Sequence, residues 1–160
     1  MSESRLKDIK ILHREKLSVR DFFAHFGKDL QLALHSPEGD LDTNIAESGI
    51  HRPGLAMAGY TKVYSSKQIQ VVGHTEWNYL ESLGPEGRKK VFENLSVFRA
   101  PMWVVTHAQM PHAELKEMCS KLHIPLFSTT LHTYEFNKVA QRYFNWEYEV
   151  NARGKQTKKM

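Results

Sequence analysis

Apolar residues recur along this chain with two spacings, and the two alternate. Val19, Phe22, Phe23 and Phe26 stand at i, i+3, i+4 and i+7, which places them on one face of a helix. Ser18 precedes this stripe as an N-cap, with Asp21 three residues on in the position of a near capping box, and Gly27 is a stop. Residues 30–34 form a short apolar run that reads as a strand, and the polar, turn-rich residues 35–48 read as a loop. Pro53 suits the first residue of a short helix, because a missing N–H costs nothing there. Ile69 to Val72 is a strand candidate ending at Gly73. Thr75 is placed to cap a helix carrying Trp77, Leu80 and Leu83 on one side. Gly84-Pro85 ends that helix, and Pro85 starts another through Val91, Phe92 and Leu95. Residues 102–105 read as a strand, Pro111 as the opening of a helix striped by Leu115, Met118, Cys119 and Leu122, and residues 125–127 as a strand. A last helix shows Phe136, Val139, Ala140 and Tyr143 at helical spacing, and no pattern follows Val150.

Strands separated by helices imply an α/β domain: a largely parallel or mixed sheet flanked by helices, with single edges free to be antiparallel. The chain has 160 residues, 41% hydrophobic and 25% charged, which suits one soluble domain over residues 1–150 and a short basic tail, expected to be disordered, over 151–160. No apolar run approaches the roughly 20 residues that cross a bilayer, so no membrane partner is expected. The charged start, MSESRLKDIK, does not read as a secretory signal, and the single cysteine, Cys119, cannot form an internal disulfide. Both features fit a cytoplasmic setting.

Charge narrows the partners. Lys and Arg number 22 against 18 Asp and Glu; the tail holds four of the cations and no acid, leaving 18 against 18 in residues 1–150. Nucleic-acid binding normally needs a cationic face on the folded domain, so no nucleic-acid partner is expected.

The chemistry is defined partly by what is missing. GxxxxGK[ST] does not occur: Gly154-Lys155 is followed by Gln156, and Glu149 stands where the first glycine would be. GxGxxG, CxxC, HExxH and GxSxG are also absent. Nine histidines (His13, His25, His35, His51, His74, His107, His112, His123 and His132) include no i, i+4 pair, so a metal centre is not expected and they read as scattered surface and packing residues. Cys119 lies on an apolar stripe and reads as a small core residue.

In open α/β sheets ligands gather beyond the carboxyl ends of the strands. Three such ends are polar here: Gly73-His74-Thr75, Thr106-His107 and Ser128-Thr129-Thr130. With helix N-termini beside them they could hold an anion or a small polar ligand, or Thr75 and Thr130 or Thr133 could serve only as caps. Arg52 joins the candidates, because its planar fork suits a phosphate or carboxylate; the same fork could tether its turn to a nearby acid. His74 or His107 could serve as a general base, although no partner nucleophile or orienting carboxylate is visible.

Gly49-Ile50-His51-Arg52-Pro53-Gly54-Leu55-Ala56-Met57-Ala58-Gly59-Tyr60 resembles the RPG-x-x-x-AG(Y/F) segment of HPr kinase/phosphorylase. The resemblance continues in register through Ile69-Gln70-Val71-Val72-Gly73, Glu76, Tyr79 and Leu80, Ala100-Pro101, Pro125-Leu126-Phe127 and Thr130, and covers about residues 5–149. It implies the amino-terminal domain of that family, an α/β domain similar to the uridine-nucleotide-binding first domain of Mur ligases. It further implies a bacterial enzyme that phosphorylates and dephosphorylates a serine of HPr, the phosphocarrier of the sugar phosphotransferase system, in carbon catabolite control. In that family a separate carboxy-terminal domain carries the phosphate loop, magnesium ligands and HPr-binding surface and assembles into hexamers, so ATP and magnesium are expected only there. The His-Gly expected after Val150 is absent, and no catalytic residue carries over. The expectation is a non-catalytic regulatory domain, as a fragment or a stand-alone relative. Its partners would be the kinase domain of the same protein, HPr indirectly, and further copies of itself. A stand-alone sensor of nucleotides or sugar phosphates is the alternative.

Overall fold

The computed structural model describes residues 18–153, with side chains to residue 145. The elements are α1 (Val19–Phe26), β1 (Leu32–Leu34), a 3-10 turn (Glu38–Leu41), β2 (Ile50–His51), α2 (Gly54–Met57), β3 (Ile69–Val72), α3 (His74–Leu95), β4 (Trp103–Val105), α4 (Ala113–Leu122), β5 (Leu126–Thr129) and α5 (Thr133–Arg153). They build one five-stranded sheet in the order β1-β5-β4-β3-β2. β2, β3, β4 and β5 run parallel, and β1 joins β5 antiparallel at the edge. The sheet is therefore mixed, within the α/β class that the alternation of periods implies.

Every residue of β3, β4 and β5 is buried, as strands covered on both faces require. Alternate residues serve two cores. Ile69, Val71, Met102, Val104 and Phe127 pack with Val19 and Phe22 of α1 and Phe136, Ala140 and Tyr143 of α5. Val72, Trp103, Val105 and Leu126 pack with Ala56 of α2, Leu80 and Phe92 of α3, and Leu115 and Cys119 of α4. Successive crossovers step in one direction along the sheet, which puts α2, α3 and α4 on one face. The first and last helices cover the other. Burial pushes the Cys119 thiol well above its ordinary value, so it packs as an apolar group.

Local differences from the sequence pattern have identifiable causes. Ser18 caps α1 by accepting from the Asp21 N–H at 3.1 Å. β1 begins at Leu32 rather than at residue 30, because Gln31 is left-handed (φ 52°) and a turn joins Leu32 N–H to Gly27 C=O. Pro53 sits one residue ahead of α2 as its N-cap, and its carbonyl accepts from the Met57 N–H. Thr75 does not cap α3. Gly73 holds the cap position, and the Glu76 carboxylate accepts from its N–H at 2.8 Å. Neither Thr130 nor Thr133 caps α5, which starts after His132, whose N–H donates to Glu135. Pro111 stands two residues ahead of α4, behind the cap residue His112. α3 breaks at Gly84 (φ 72°, ψ 174°), a conformation that suits glycine, and Pro85 restarts it. Val97, Met110 and Tyr134 are among the large apolar side chains left exposed. α5 runs to Arg153, so the tail expected from 151 is helical for three residues; 154–160 lie outside the described residues. Among the described residues no helix is long and apolar enough to cross a membrane.

Candidate functional site

The carboxyl ends of β3 and β4 meet the N-termini of α3 and α5 at one edge of the sheet. Gly73 is its centre. A Cβ there would lie 2.7 Å from Thr133 Oγ1, 2.9 Å from Arg52 Nη2 and 3.1 Å from Glu76 Oε1, so only glycine lets these groups close around the strand end. Arg52 donates to Glu76 Oε1 from Nε at 3.1 Å and from Nη2 at 2.9 Å, onto the oxygen that also accepts from Gly73. The Glu76 side chain is 7% exposed and that of Arg52 43%. Arg52 therefore tethers its turn to an acid while part of its side chain remains exposed.

The end of β4 supplies a second set of groups. Thr106 is wholly buried, and its hydroxyl lies 2.8 Å from Thr133 Oγ1, 2.9 Å from His107 Nδ1 and 3.4 Å from Val72 O. Such a hydroxyl orients its neighbours and is out of reach of any substrate. His107 and Ala108 are both left-handed, with φ of 64° and 57°. That conformation costs roughly 1–2 kcal/mol per non-glycine residue. It is held by His107 N–H to Leu131 C=O at 2.8 Å and Ala108 N–H to Thr129 C=O at 3.0 Å. The turn lays the His107 ring on His132, with centroids 4.4 Å apart and planes 12° apart, and brings it within 5.6 Å of the His74 ring. Three of the nine histidines thus converge, where the sequence pattern read them as scattered. Partial burial, and then the neighbouring His132, His74 and Arg52, hold His107 below the ordinary imidazole value, against a smaller opposing pull from Glu135.

The remaining candidates stand elsewhere or are committed elsewhere. Thr75 is exposed on the first turn of α3. The Ser128 hydroxyl bonds His35 Nε2 at 2.8 Å. Thr129 Oγ1 donates to Leu30 C=O at 2.5 Å and accepts from Leu131 N–H at 3.1 Å. Thr130 Oγ1 donates to Gln31 Oε1. These three serve the contact of β5 with β1, while Arg52, His74, Thr106 and His107 share the β3–β4 end. Sequence reasoning passed over His132 and Glu76 as site members. The available signals were the position of His132 directly after a polar strand end and that of Glu76 three residues after Gly73.

The rings do not form a metal centre. Stacked imidazoles direct their nitrogens side by side rather than toward one point, and no group of three or more His, Cys, Asp or Glu with metal-holding geometry occurs among the described residues. A groove of about 190 Å³ between α3 and α4, lined by Lys89, Phe92, Glu93, Glu117, Lys121 and Leu122, lies away from this edge and gathers no comparable chemistry.

Comparison with known proteins settles the lineage. The family described as HPr Serine kinase N terminus matches residues 17–144, from the start of α1 into α5. The chain belongs to this family. Its curated relatives include HPr kinase/phosphorylase of Chlorobium luteolum, 36% identical over 124 residues. That of Chloroherpeton thalassium is 34% identical over 129. The alignments take in 76% and 79% of this chain but 37% and 38% of the relatives, so the chain spans well under half of their length. A solved structure with a related fold is the regulatory region, CBS and DRTGG domains, of Clostridium perfringens pyrophosphatase, complexed with its activator diadenosine tetraphosphate. The likeness has a TM-score of 0.54 at 14% identity, covers 88% of this chain and 56% of that one, and establishes the fold alone. The HPr kinase N-terminal family membership accounts for the RPG segment: Arg52 and Pro53 lead into α2, and Gly54 lies against Glu76.

Proposed function

We propose that this chain is the non-catalytic, regulatory domain of an HPr serine kinase/phosphorylase. The observation that carries the reading is the family match over residues 17–144 in a sequence with no phosphate loop. The chemistry that phosphoryl transfer needs, a cradle for the β- and γ-phosphates and carboxylates for magnesium, would then reside in a separate kinase domain, the natural partner of this one. ATP and magnesium belong to that domain, and HPr would meet this chain only through it. A bacterial cytoplasm and a part in carbon catabolite control follow from the same reading. The burial of Thr106 and the tether between Arg52 and Glu76 support a module that positions groups rather than one that turns over substrate.

Incubation of the chain with ATP, magnesium and HPr is expected to leave HPr without phosphoserine by intact-mass spectrometry. Phosphorylated HPr in that mixture overturns the assignment.

A further inference from the structure

We infer that the edge formed by Arg52, His74, His107 and His132 is a binding site for a phosphate-bearing anion, occupied when its histidines are protonated. The groups come from four places in the chain: Arg52 ahead of α2, His74 at the start of α3, His107 after β4 and His132 ahead of α5. Nothing in local sequence requires them to meet. Two left-handed residues, His107 and Ala108, are held in place at the point that brings the rings together. His74 and His132 are exposed and His107 half-buried. Asn78 Nδ2 lies 3.2 Å from His74 Nε2 and the Thr106 hydroxyl 2.9 Å from His107 Nδ1, so a small ligand would be met by the other ring nitrogens or would displace Asn78.

Charge makes the site conditional. The groups facing His107 from the elements packed around it are Arg52, His74 and His132, with Glu135 opposing them. Glu76 is the remaining carboxylate, bound to Arg52 and to the Gly73 N–H, while Glu135 accepts from the His132 N–H. With neutral imidazoles, the one guanidinium and the two carboxylates leave the edge net negative. With three protonated imidazoles it carries a net charge of plus two. The cations then repel one another; burial first, and then His132, His74 and Arg52, hold His107 below the ordinary imidazole value. A phosphate dianion relieves that repulsion and accepts N–H bonds from several cations at once. Arg52, partly exposed, supplies the permanent charge, and the first-turn N–H groups of α3 and α5 add to the field.

The inference goes beyond the regulatory-domain reading, and its failure leaves that reading intact. The test is a histidine-ring NMR titration of the full chain with inorganic pyrophosphate, and in parallel with ADP. At about pH 6, saturable shifts are expected at His74, His107 and His132 and not at His51. Affinity is expected to fall roughly tenfold or more by about pH 8. The His107 titration midpoint is expected to rise with ligand bound. His132→Gln, an exposed substitution that leaves the fold intact, is expected to weaken binding several-fold, whereas His51→Gln leaves it unchanged. Binding of ADP at least as tight as that of pyrophosphate assigns the site to the diphosphate of a nucleotide. Binding of pyrophosphate alone assigns it to the free anion. No saturable shift with either probe, or shifts shared equally by His51, overturns the inference.

Discussion

The polar ends of β3 and β4 and the polar end of β5 carry similar residue types and meet different fates. At β3 and β4, Arg52, His74 and His107 converge, joined by His132 from the turn after β5, and Arg52, His74 and His132 keep exposed side-chain surface. At β5, the hydroxyls of Ser128, Thr129 and Thr130 are taken up by His35, Leu30 and Gln31. The cause is the direction of one strand. β1 runs antiparallel to β5, with Leu32 opposite Thr129, so the turn that enters β1 lies beside the carboxyl end of β5. That turn delivers a free carbonyl and a side-chain amide to hydroxyls that need partners. β3 and β4 have parallel neighbours, whose carboxyl ends and following helices lie at the same edge. An antiparallel edge strand stabilises a strand end with backbone groups; parallel neighbours stack functional side chains beside one another.

The largest expected effect breaks the β3–β4 side. Gly73→Val drives a branched side chain into Thr133, Arg52 and Glu76, and a loss of about 3 kcal/mol in urea unfolding is expected. Gly39→Ala, where a Cβ meets nothing within 4 Å, is the control and should change stability by less than about 0.5 kcal/mol. If Gly73→Val proves as mild as Gly39→Ala, the strand end is not tightly enclosed, and the contrast with β5 loses its first half.

Next comes the β5 side. Thr129→Val keeps the side-chain shape but removes a buried hydroxyl, leaving Leu30 C=O and Leu131 N–H without it. About 2 kcal/mol is expected to be lost, because orphaned buried groups cost more than a bond returns. Ser128→Ala, with one partner in a half-buried ring, should cost about 1 kcal/mol. Ser128→Ala should not alter His107 ring resonances, since the Ser128 hydroxyl bonds His35 and not the histidine edge, whereas the Thr129 hydroxyl bonds Leu131, whose carbonyl holds His107. A large shift at His107 in Ser128→Ala would join the two regions into one network.

Much of the architecture was readable beforehand, and the misses have physical causes. Helices α1 and α5 announce themselves because four apolar residues share a face, and β3 and β4 because unbroken apolar runs suit strands covered on both sides. Gly84-Pro85 marked the break in α3 because both residues act locally. Caps were less readable. At α3 Glu76, three residues after Gly73, reaches back to the Gly73 N–H, so Gly73 takes the cap position and Thr75 is left exposed on the first turn. The fate of Thr129 depended on Leu30, 99 residues away, and no local signal reports that pairing. The histidine edge was hidden for the same reason. His74, His107 and His132 are far apart in sequence and meet only because β3, β4 and β5 are consecutive parallel neighbours.

The smallest effect gives the sharpest contrast, because it compares three histidines lowered by different causes. Burial and then Lys116 lower His35; burial alone lowers His51; burial and then three cationic neighbours lower His107. In each case the unfolded chain, near the ordinary value of about 6.5, takes up its proton before the folded one does. Their contribution to stability is therefore complete above that value and is lost as pH falls from it toward the lower folded values. Added sodium chloride separates the causes. Screening weakens repulsion between partly exposed charges and leaves desolvation nearly untouched. The His107 midpoint is expected to move upward with salt in an NMR titration, that of His35 to move less, and that of His51 to stay in place. A common response in all three would mean that His107 is lowered by burial alone, and the two strand ends would then differ in geometry but not in charge.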